Sequence, residues 1–445
     1  MKKKLSRRRF IYGTVAGGAV LSGVFPLRWA YSSPNEKINV ACVGCGGRGA
    51  QNANNVKNVQ GVNISAFCDV DDDSAAELYS SNPDIPKFKD YRKMFEKMSN
   101  DIDAVVVTTP DHAHFPIGMA AIQLGKHVYI EKPLTHSIKQ AREIMKAARE
   151  KKVATQMGNQ GHSAHATYLV KEWIQAGLIG QVKEVLSWTN RPSRWPQGMQ
   201  KLPAGQPVPA HLDWKLWQAG VTDYKYNRAY LPFKWRGWYA FGCGAMGDMG
   251  CHVLDAPFYA LDLGAARTVR VHADVAGESS VAFPKGSTVT MEISARGKFA
   301  PVTLTWFDGK GKDRRRPEHL DQSRSPGHSA SVIVGESSSI MTGSHAKSTR
   351  IIPEVKMREA APDLPPQTLP RPEKGDHYQS WIEACRGGSP ASSNFDYAAP
   401  LTELCLLGVI AQRLPGKKLE WDKEKGFLNN EEANLLVNNT VPEAG

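Results

Sequence analysis

A short apolar run, Ile38-Asn39-Val40-Ala41-Cys42-Val43, leads directly into Gly44-Cys45-Gly46-Gly47-Arg48-Gly49. Glycines cluster in many turns, so the spacing of Gly44, Gly46 and Gly49 has little weight by itself. Its weight comes from what surrounds it. The run reads as a buried strand, and a second one, Val62-Asn63-Ile64-Ser65-Ala66-Phe67-Cys68, stops at Asp69, 20 positions past Gly49. That order brings backbone N–H groups to a helix N-terminus, where a pyrophosphate binds, and sets a carboxylate within reach of a ribose. An acid in that place repels a 2′-phosphate, which favours NAD over NADP.

Further strands follow at regular intervals. Asp103-Ala104-Val105-Val106-Val107-Thr108 is a β-branched run of the kind buried on both faces. His127-Val128-Tyr129-Ile130 and Val153-Ala154-Thr155-Gln156 come next, with a helical stretch over residues 138–151 between them. Strands alternating with helices predict a parallel, doubly wound sheet, so residues 38–158 are expected to form an N-terminal Rossmann domain. A chain of 445 residues exceeds one ordinary core. The remainder, residues 159–425, is expected to be a second, substrate-binding domain with an antiparallel sheet. It holds an aromatic, irregular region over 188–241, a helix over 249–261, alternating stretches at 269–273, 289–294 and 302–306, and helices near 378–385 and 400–413. Residues 309–372, rich in Pro, Ser, Lys and Arg, are expected to be long basic loops with one strand at 331–334. Residues 426–445 are expected to be a tail.

The first residues are basic, then apolar. Ser6-Arg7-Arg8-Arg9-Phe10 precedes a Gly- and Ala-rich run ending near Ala30, the pattern of a twin-arginine signal peptide over residues 1–30. Export to the periplasm, or outside the cytoplasm, by the twin-arginine machinery is therefore expected, with a flexible basic tail or an uncleaved anchor as the alternatives. This segment holds seven of the cations behind the formal charge of +12 and no acid. The surplus left on the rest is too small for a nucleic-acid footprint. Seven cysteines in no regular framework argue against a disulfide scaffold.

Two more stretches fall where the strand ends of a doubly wound sheet open to ligand. Thr108-Thr109-Pro110-Asp111-His112-Ala113-His114 follows the strongest strand, and Glu131-Lys132-Pro133 the next. A lysine there can polarise a hydroxyl or carbonyl, although position alone also fits a surface lysine before a helix. Farther on, Asp248 and His252 stand four apart, on one face of a helix. A histidine so paired can take a proton from a hydroxyl while hydride leaves the same carbon. The pairs His112/His114 and His162/His165 have no third ligand of obvious spacing, so no metal is expected.

The glycine turn, Glu131-Lys132-Pro133 and Asp248-x-Gly-x-His252 together resemble the Gfo/Idh/MocA oxidoreductases, which act on sugars and cyclitols, and an exported subgroup in particular. The resemblance implies that residues 159–425 form a C-terminal α/β domain with an open, mostly antiparallel sheet that carries substrate and subunit contacts, that Lys132, Asp248 and His252 line the active site and that Pro133 is cis. NAD is expected to be tightly bound by Gly44, Gly46, Gly47, Arg48, Gly49, Asp69, Thr109, Pro110, His112, His114, Glu131, Lys132 and Gln160. Gly158-Asn159-Gln160-Gly161-His162 either faces both nicotinamide and substrate, through His162, or merely links the domains. Tyr226, Tyr230, Trp235, Trp238 and Tyr239 either stack on a sugar or simply pack; Tyr230, Trp235 and Trp238 are the candidates for contact. A homodimer or homotetramer is implied.

Three functions fit these residues. The first is an oxidoreductase that moves hydride between a sugar C–H and NAD. The second is a glycosidase or epimerising enzyme that oxidises a sugar carbon transiently and returns the same hydride. The third is a cofactor-bearing binding protein without turnover. Free NAD is scarce outside the cytoplasm, so export favours a cofactor regenerated within each cycle.

Overall fold

The structure, a computed structural model, describes residues 37–221, 224–309 and 316–438. The expected signal peptide, residues 310–315 of the expected basic loops and the last seven residues lie outside them.

The first domain is built from β1 (Ile38–Val43), α1 (Arg48–Lys57), β2 (Val62–Cys68), α2 (Asp72–Ser80), β3 (Lys87–Phe88), α3 (Tyr91–Met98), β4 (Ala104–Val107), α4 (Asp111–Gln123), β5 (His127–Ile130), α5 (Ile138–Lys151) and β6 (Thr155–Met157). The strands form one parallel sheet in the order β3-β2-β1-β4-β5-β6. All four residues of β4 are buried, as an uninterrupted β-branched run requires when helices cover both faces. Side-chain caps start the helices where turns end: Asp71 accepts from the Ser74 N–H for α2, and Ser137 from the Gln140 N–H for α5. The helix α1 has no side-chain cap and no acid in its first turn.

The second domain contributes α6 (His165–Gln175), β7 (Glu184–Thr189), the short α7 (Trp214–Trp217), α8 (Gly244–Val253), α9 (Asp255–Ala260), β8 (Thr268–Ala276), β9 (Gly286–Ile293), β10 (Val302–Gly309), β11 (Ser329–Val334), β12 (Ser339–Gly343), β13 (Arg350–Ile352), α10 (Glu354–Ala360), α11 (His377–Cys385), α12 (Phe395–Arg413), β14 (Leu419–Asp422), β15 (Gly426–Phe427) and α13 (Glu431–Asn438). Its nine-stranded sheet runs β13-β12-β11-β7-β10-β9-β8-β14-β15, and only the β7–β10 pair is parallel. Among the described residues no helix is long and apolar enough to cross a membrane. All seven cysteines are buried and free.

Four sequence expectations need correction. Residues 309–372 hold more than one strand among their loops: they supply β11, β12, β13 and α10. The strands there are short and set among turn residues, so composition hid a buried apolar set of Val332, Ile333, Ile340, Ile351 and Ile352. Residues 426–438 are no tail, since Phe427 packs on Trp421 and Ala433 is buried. The expected helix at 249–261 is two, α8 and α9, and α8 begins earlier, at Gly244. Pro257 has no N–H to continue the ladder; the Val253 carbonyl accepts instead from the Ser331 hydroxyl at 2.7 Å. Finally, the chain returns to the first domain after residue 376. Trp381 and Ile382 of α11 are fully buried in one cluster with Val40, Phe67, Val106 and Tyr129 of the parallel sheet. Helix α12, buried almost all round, packs against both α5 and α8.

Candidate functional site

One cavity of about 620 Å³ opens along the carboxyl ends of the parallel strands, from Gly44, Gly46, Gly47 and Asp69 at one end to Asp248, His252 and Trp235 at the other. The glycine turn closes by backbone contact. A Cβ on Gly49 would stand 2.0 Å from the Gly44 carbonyl oxygen, and one on Gly44 (φ +82°) 2.4 Å from that of Thr108. Gly47 (φ +49°) is different: a Cβ there meets nothing within 4 Å. The turn therefore presents bare backbone and an uncapped helix N-terminus to the cavity, a cradle for a pyrophosphate. Asp69 fixes the turn to β2. Its carboxylate accepts from the backbone N–H of Cys45 at 2.6 Å and of Asp71 at 3.0 Å. Burial, against those two hydrogen bonds, pushes this carboxyl up to about 6. Each oxygen still has a lone pair for a ribose hydroxyl.

At mid-cavity stands Glu131, a buried carboxylate held in place by three side-chain donors. The Asn52 amide reaches it at 2.9 Å, Arg48 at 3.2 Å and Gln160 at 3.3 Å. Burial alone would raise its pKa, but Arg48 and Lys132 outweigh burial and hold it below its ordinary value. Thr109 and Pro110 line the same stretch. The Thr109 hydroxyl is buried without a hydrogen-bond partner among the described residues.

The far end carries the polar chemistry. Lys132, after β5 and before a cis peptide to Pro133, donates from Nζ to Oδ1 of Asp248 at 2.9 Å and to the Asp248 backbone carbonyl at 2.8 Å. Arg236 donates to the same Oδ1 at 3.1 Å. Its guanidinium lies 4.1 Å from the ring centroids of both Phe233 and Trp235. Burial opposes ionisation of Asp248, yet Lys132 and Arg236 outweigh it and hold the carboxyl well below the usual carboxylate range. One turn on, His252 stacks on His345, ring centroids 3.9 Å apart and planes at 24°. Burial first, then the Lys132 and His345 charges, push His252 far below an ordinary imidazole. It is neutral at physiological pH, and its Nδ1 is buried without a partner among the described residues. Such an imidazole can accept a proton from a ligand.

The pairing within this cluster differs from the one expected. Asp248 and His252 share a face of α8, but the carboxylate is engaged by Lys132 and Arg236. Two cations outcompete a neutral imidazole for a buried anion.

Other expected contacts move off the cavity. His112 is buried, its ring nitrogens 3.2 and 2.9 Å from the Phe241 and Trp217 carbonyls. His114 is likewise bound to the Pro133 and Thr109 carbonyls, at 2.8 and 2.9 Å. Both hold the loops that shape the cavity and do not line it. His162 stands 3.0 Å from Asp255 Oδ1 with its ring 4.0 Å from that of Tyr397, in a buried cluster behind α8. Tyr230 and Trp238 belong to an aromatic core with Trp214, Trp217 and Phe241, and of the three aromatic candidates only Trp235 reaches the cavity wall. Packing wins at those rings because each buries more surface against its neighbours than a sugar face would cover.

Sequence reasoning missed Arg236, Phe233 and His345. Arg236 carried a signal, an arginine within Lys234-Trp235-Arg236-Gly237-Trp238. His345 carried none. It reaches the cavity from the turn after β12, in a left-handed conformation (φ 61°).

The donor set and the bare glycine turn fit a dinucleotide. Residues 38–159 match the family described as an oxidoreductase family with an NAD-binding Rossmann fold, Gfo/Idh/MocA. Residues 167–299 match its C-terminal alpha/beta domain. A levoglucosan dehydrogenase of Pseudarthrobacter phenanthrenivorans is 24% identical over 36% of this chain and 33% of its own length. A scyllo-inositol 2-dehydrogenase (NADP(+)) of Bacillus subtilis is 24% identical over 40% of each chain. A glycosyl hydrolase family 109 protein of Shewanella pealeana is 25% identical over 40% of this chain and 44% of that one. The matches span less than half the length of these curated relatives. Among solved structures, a WlbA dehydrogenase from Bordetella pertussis, in complex with NADH and UDP-GlcNAcA, has a TM-score of 0.58 at 17% identity, covering 86% of this chain and 98% of that one. An inositol dehydrogenase homologue from Azotobacter vinelandii, complexed with NADH and myo-inositol, has a TM-score of 0.55 at 16% identity, covering 87% and 98%. At such identities the likeness speaks for the fold.

Proposed function

The chain belongs to the Gfo/Idh/MocA oxidoreductase family, and from that premise we propose that it oxidises a CH–OH carbon of a sugar or glycoside with a tightly held NAD. One observation carries the reading. A single cavity joins a pyrophosphate cradle to a buried cluster in which a lysine anchored on a carboxylate stands beside a neutral, unpartnered histidine.

Gly44, Gly46, Gly47 and the start of α1 would hold the pyrophosphate and Asp69 the adenosine ribose, which favours NAD over NADP. Thr109, Pro110, Arg48, Glu131 and Gln160 would bound the nicotinamide end. When bound, the nicotinamide supplies the hydride acceptor. The protein's own groups manage the proton. Lys132, fixed by Asp248 at 2.9 Å, donates a hydrogen bond to the reacting oxygen and stabilises charge that develops there. His252 takes the hydroxyl proton. Because it is neutral at physiological pH, it is ready to act as base without first losing a proton. Asp248 keeps Lys132 aimed and is itself held ionised by Arg236.

The named relatives act on levoglucosan and on an inositol, which supports a sugar or cyclitol as substrate here. The twin-arginine reading of residues 1–30 adds a reason for retention: a cofactor carried out of the cytoplasm is best regenerated within each cycle. The likeness to a family 109 glycosyl hydrolase supports a second reading, cleavage of a glycoside by transient oxidation. An open nine-stranded sheet suits a homodimer or homotetramer.

The test is to mix purified protein, without added cofactor, with free sugars and chromogenic glycosides while following nicotinamide absorbance and aglycone release together. Reduction of one bound equivalent that resumes on adding a keto-sugar is the expected result. Aglycone release without accumulated reduced cofactor would replace the oxidoreductase by the glycosidase. No response from either signal would reject both.

A further inference from the structure

The cavity wall around Asp248 holds more positive charge than oxidation of a neutral sugar uses. Lys132 and Arg236 both bind the one Asp248 carboxylate. Arg191, just after β7, lines the same cavity. Its guanidinium lies 5.8 Å from the ring centroid of Phe233, the ring on which Arg236 stacks at 4.1 Å. Two like charges thus share one phenyl ring. Arg236 has its anion, whereas the Arg191 guanidinium makes no hydrogen bond or ion pair among the described residues. The other carboxyl on this wall, Asp111, is committed elsewhere: its Oδ2 accepts from the Cys243 N–H at 2.9 Å.

Arg191 is thus a third cation around the single Asp248 carboxylate, whose charge it also favours, and the surplus positive charge of this half-buried cluster is balanced when an anion joins it. The cofactor does not supply that anion, because its pyrophosphate cradle is at the opposite end of the cavity, at Gly44–Gly47. We propose that the substrate is a sugar acid whose carboxylate is held by Arg191 while Lys132 and His252 engage the neighbouring hydroxyl. The planar guanidinium matches a carboxylate with two parallel N–H···O bonds, and Phe233 and Trp235 offer apolar faces for the ring carbons. The hydroxyl part of this assignment rests on the oxidoreductase reading; the carboxylate part does not, since binding requires no turnover.

The test is calorimetric titration of the cofactor-loaded protein with matched pairs: D-glucuronate and D-glucose, D-galacturonate and D-galactose, and a sulfate ester of each neutral sugar. At least one uronate is expected to bind about tenfold or more tighter than its neutral parent, the worth of one charge-assisted bidentate contact. Arg191→Gln is expected to erase that ratio. Arg194→Gln removes the same charge from an exposed position outside the cavity and is expected to keep it. Melting temperatures of both variants exclude a folding defect. Equal affinity for uronates and neutral sugars, or a preference that survives Arg191→Gln, would overturn the proposal, as would tighter binding of the sulfate esters. Uronate binding without any hydride transfer would instead refute the oxidoreductase reading alone. Turnover of neutral sugars with no uronate preference would refute the sugar acid alone.

Discussion

His252 shows how one side chain's chemistry is set by what it lacks. It is buried, has no hydrogen-bond partner at Nδ1 among the described residues, and has two cationic or titratable neighbours in Lys132 and His345. All of these favour the neutral base. His252→Ala is expected to lower turnover by about a hundredfold to ten-thousandfold, the usual worth of a positioned general base, while bound nicotinamide per protein is unchanged. Loss of the dinucleotide would place His252 in cofactor binding instead. His345 acts through its neighbour. Removing it takes away a group that depresses His252, so His345→Ala is expected to move the acid limb of the kcat/KM pH profile to higher pH. An unmoved limb with lowered activity would mean that His345 only fills space. At the other end of the cavity, Asp69→Ala is expected to shift preference from NAD towards NADP, and equal ratios in both proteins would show that Asp69 holds the turn without reading the ribose.

The elements differ in how far their sequences announced them. The parallel sheet was legible because β4 and β5 are unbroken apolar runs and because the turn Gly44–Gly49 allows so few backbone conformations. Lys132, Asp248 and His252 could be picked out because they sit next to strand ends or at helical spacing. Their mutual pairing could not, because Arg236 arrives from an irregular segment and decides which partner Asp248 takes. Strands β12 and β13 were hidden by turn-rich composition, and with them the route by which His345 enters the site. The same limit hid α11, whose local pattern says helix but not which sheet it covers. Trp381 is fully buried against the parallel sheet. Trp381→Ala is therefore expected to cost about 3–5 kcal/mol and to lower dinucleotide retention, as measured by denaturant midpoint and bound cofactor. A stable variant that keeps its cofactor would show that the first domain does not depend on α11.

At the scale of the whole molecule, buried titratable groups tie stability to pH. His112 and His377 are lowered by burial to about 4 and His136 to about 3; His252, His127 and His345 shift the same way. The unfolded chain protonates these imidazoles first, so their contribution is complete above about pH 6.5 and is lost as pH falls towards 3–4, at up to about 1.4 kcal/mol per pH unit each. Asp69 and Asp308 act oppositely. Burial raises both to about 6, so the folded state gains stability as pH falls through 6 and no more once the unfolded carboxyls protonate near pH 4. The histidines outnumber them, and Asp248, held ionised, adds its own loss at low pH. Melting temperature is therefore expected to decline most steeply between pH 6.5 and about 4 and more gently below, where the His112 and His377 losses are complete. A flat profile down to pH 4 and beyond would mean that these imidazoles take up protons without unfolding.

The central claim is that Lys132 and His252 manage the proton of a sugar hydroxyl while the cofactor in the same cavity accepts hydride. The most direct measurement is sugar-dependent reduction of bound nicotinamide in a single turnover, compared between the native protein and Lys132→Met at equal cofactor occupancy. The account expects reduction in the native protein and a rate at least about a hundredfold lower in the variant. Equal rates in the two, or no reduction by any sugar, uronate or cyclitol offered, would contradict it.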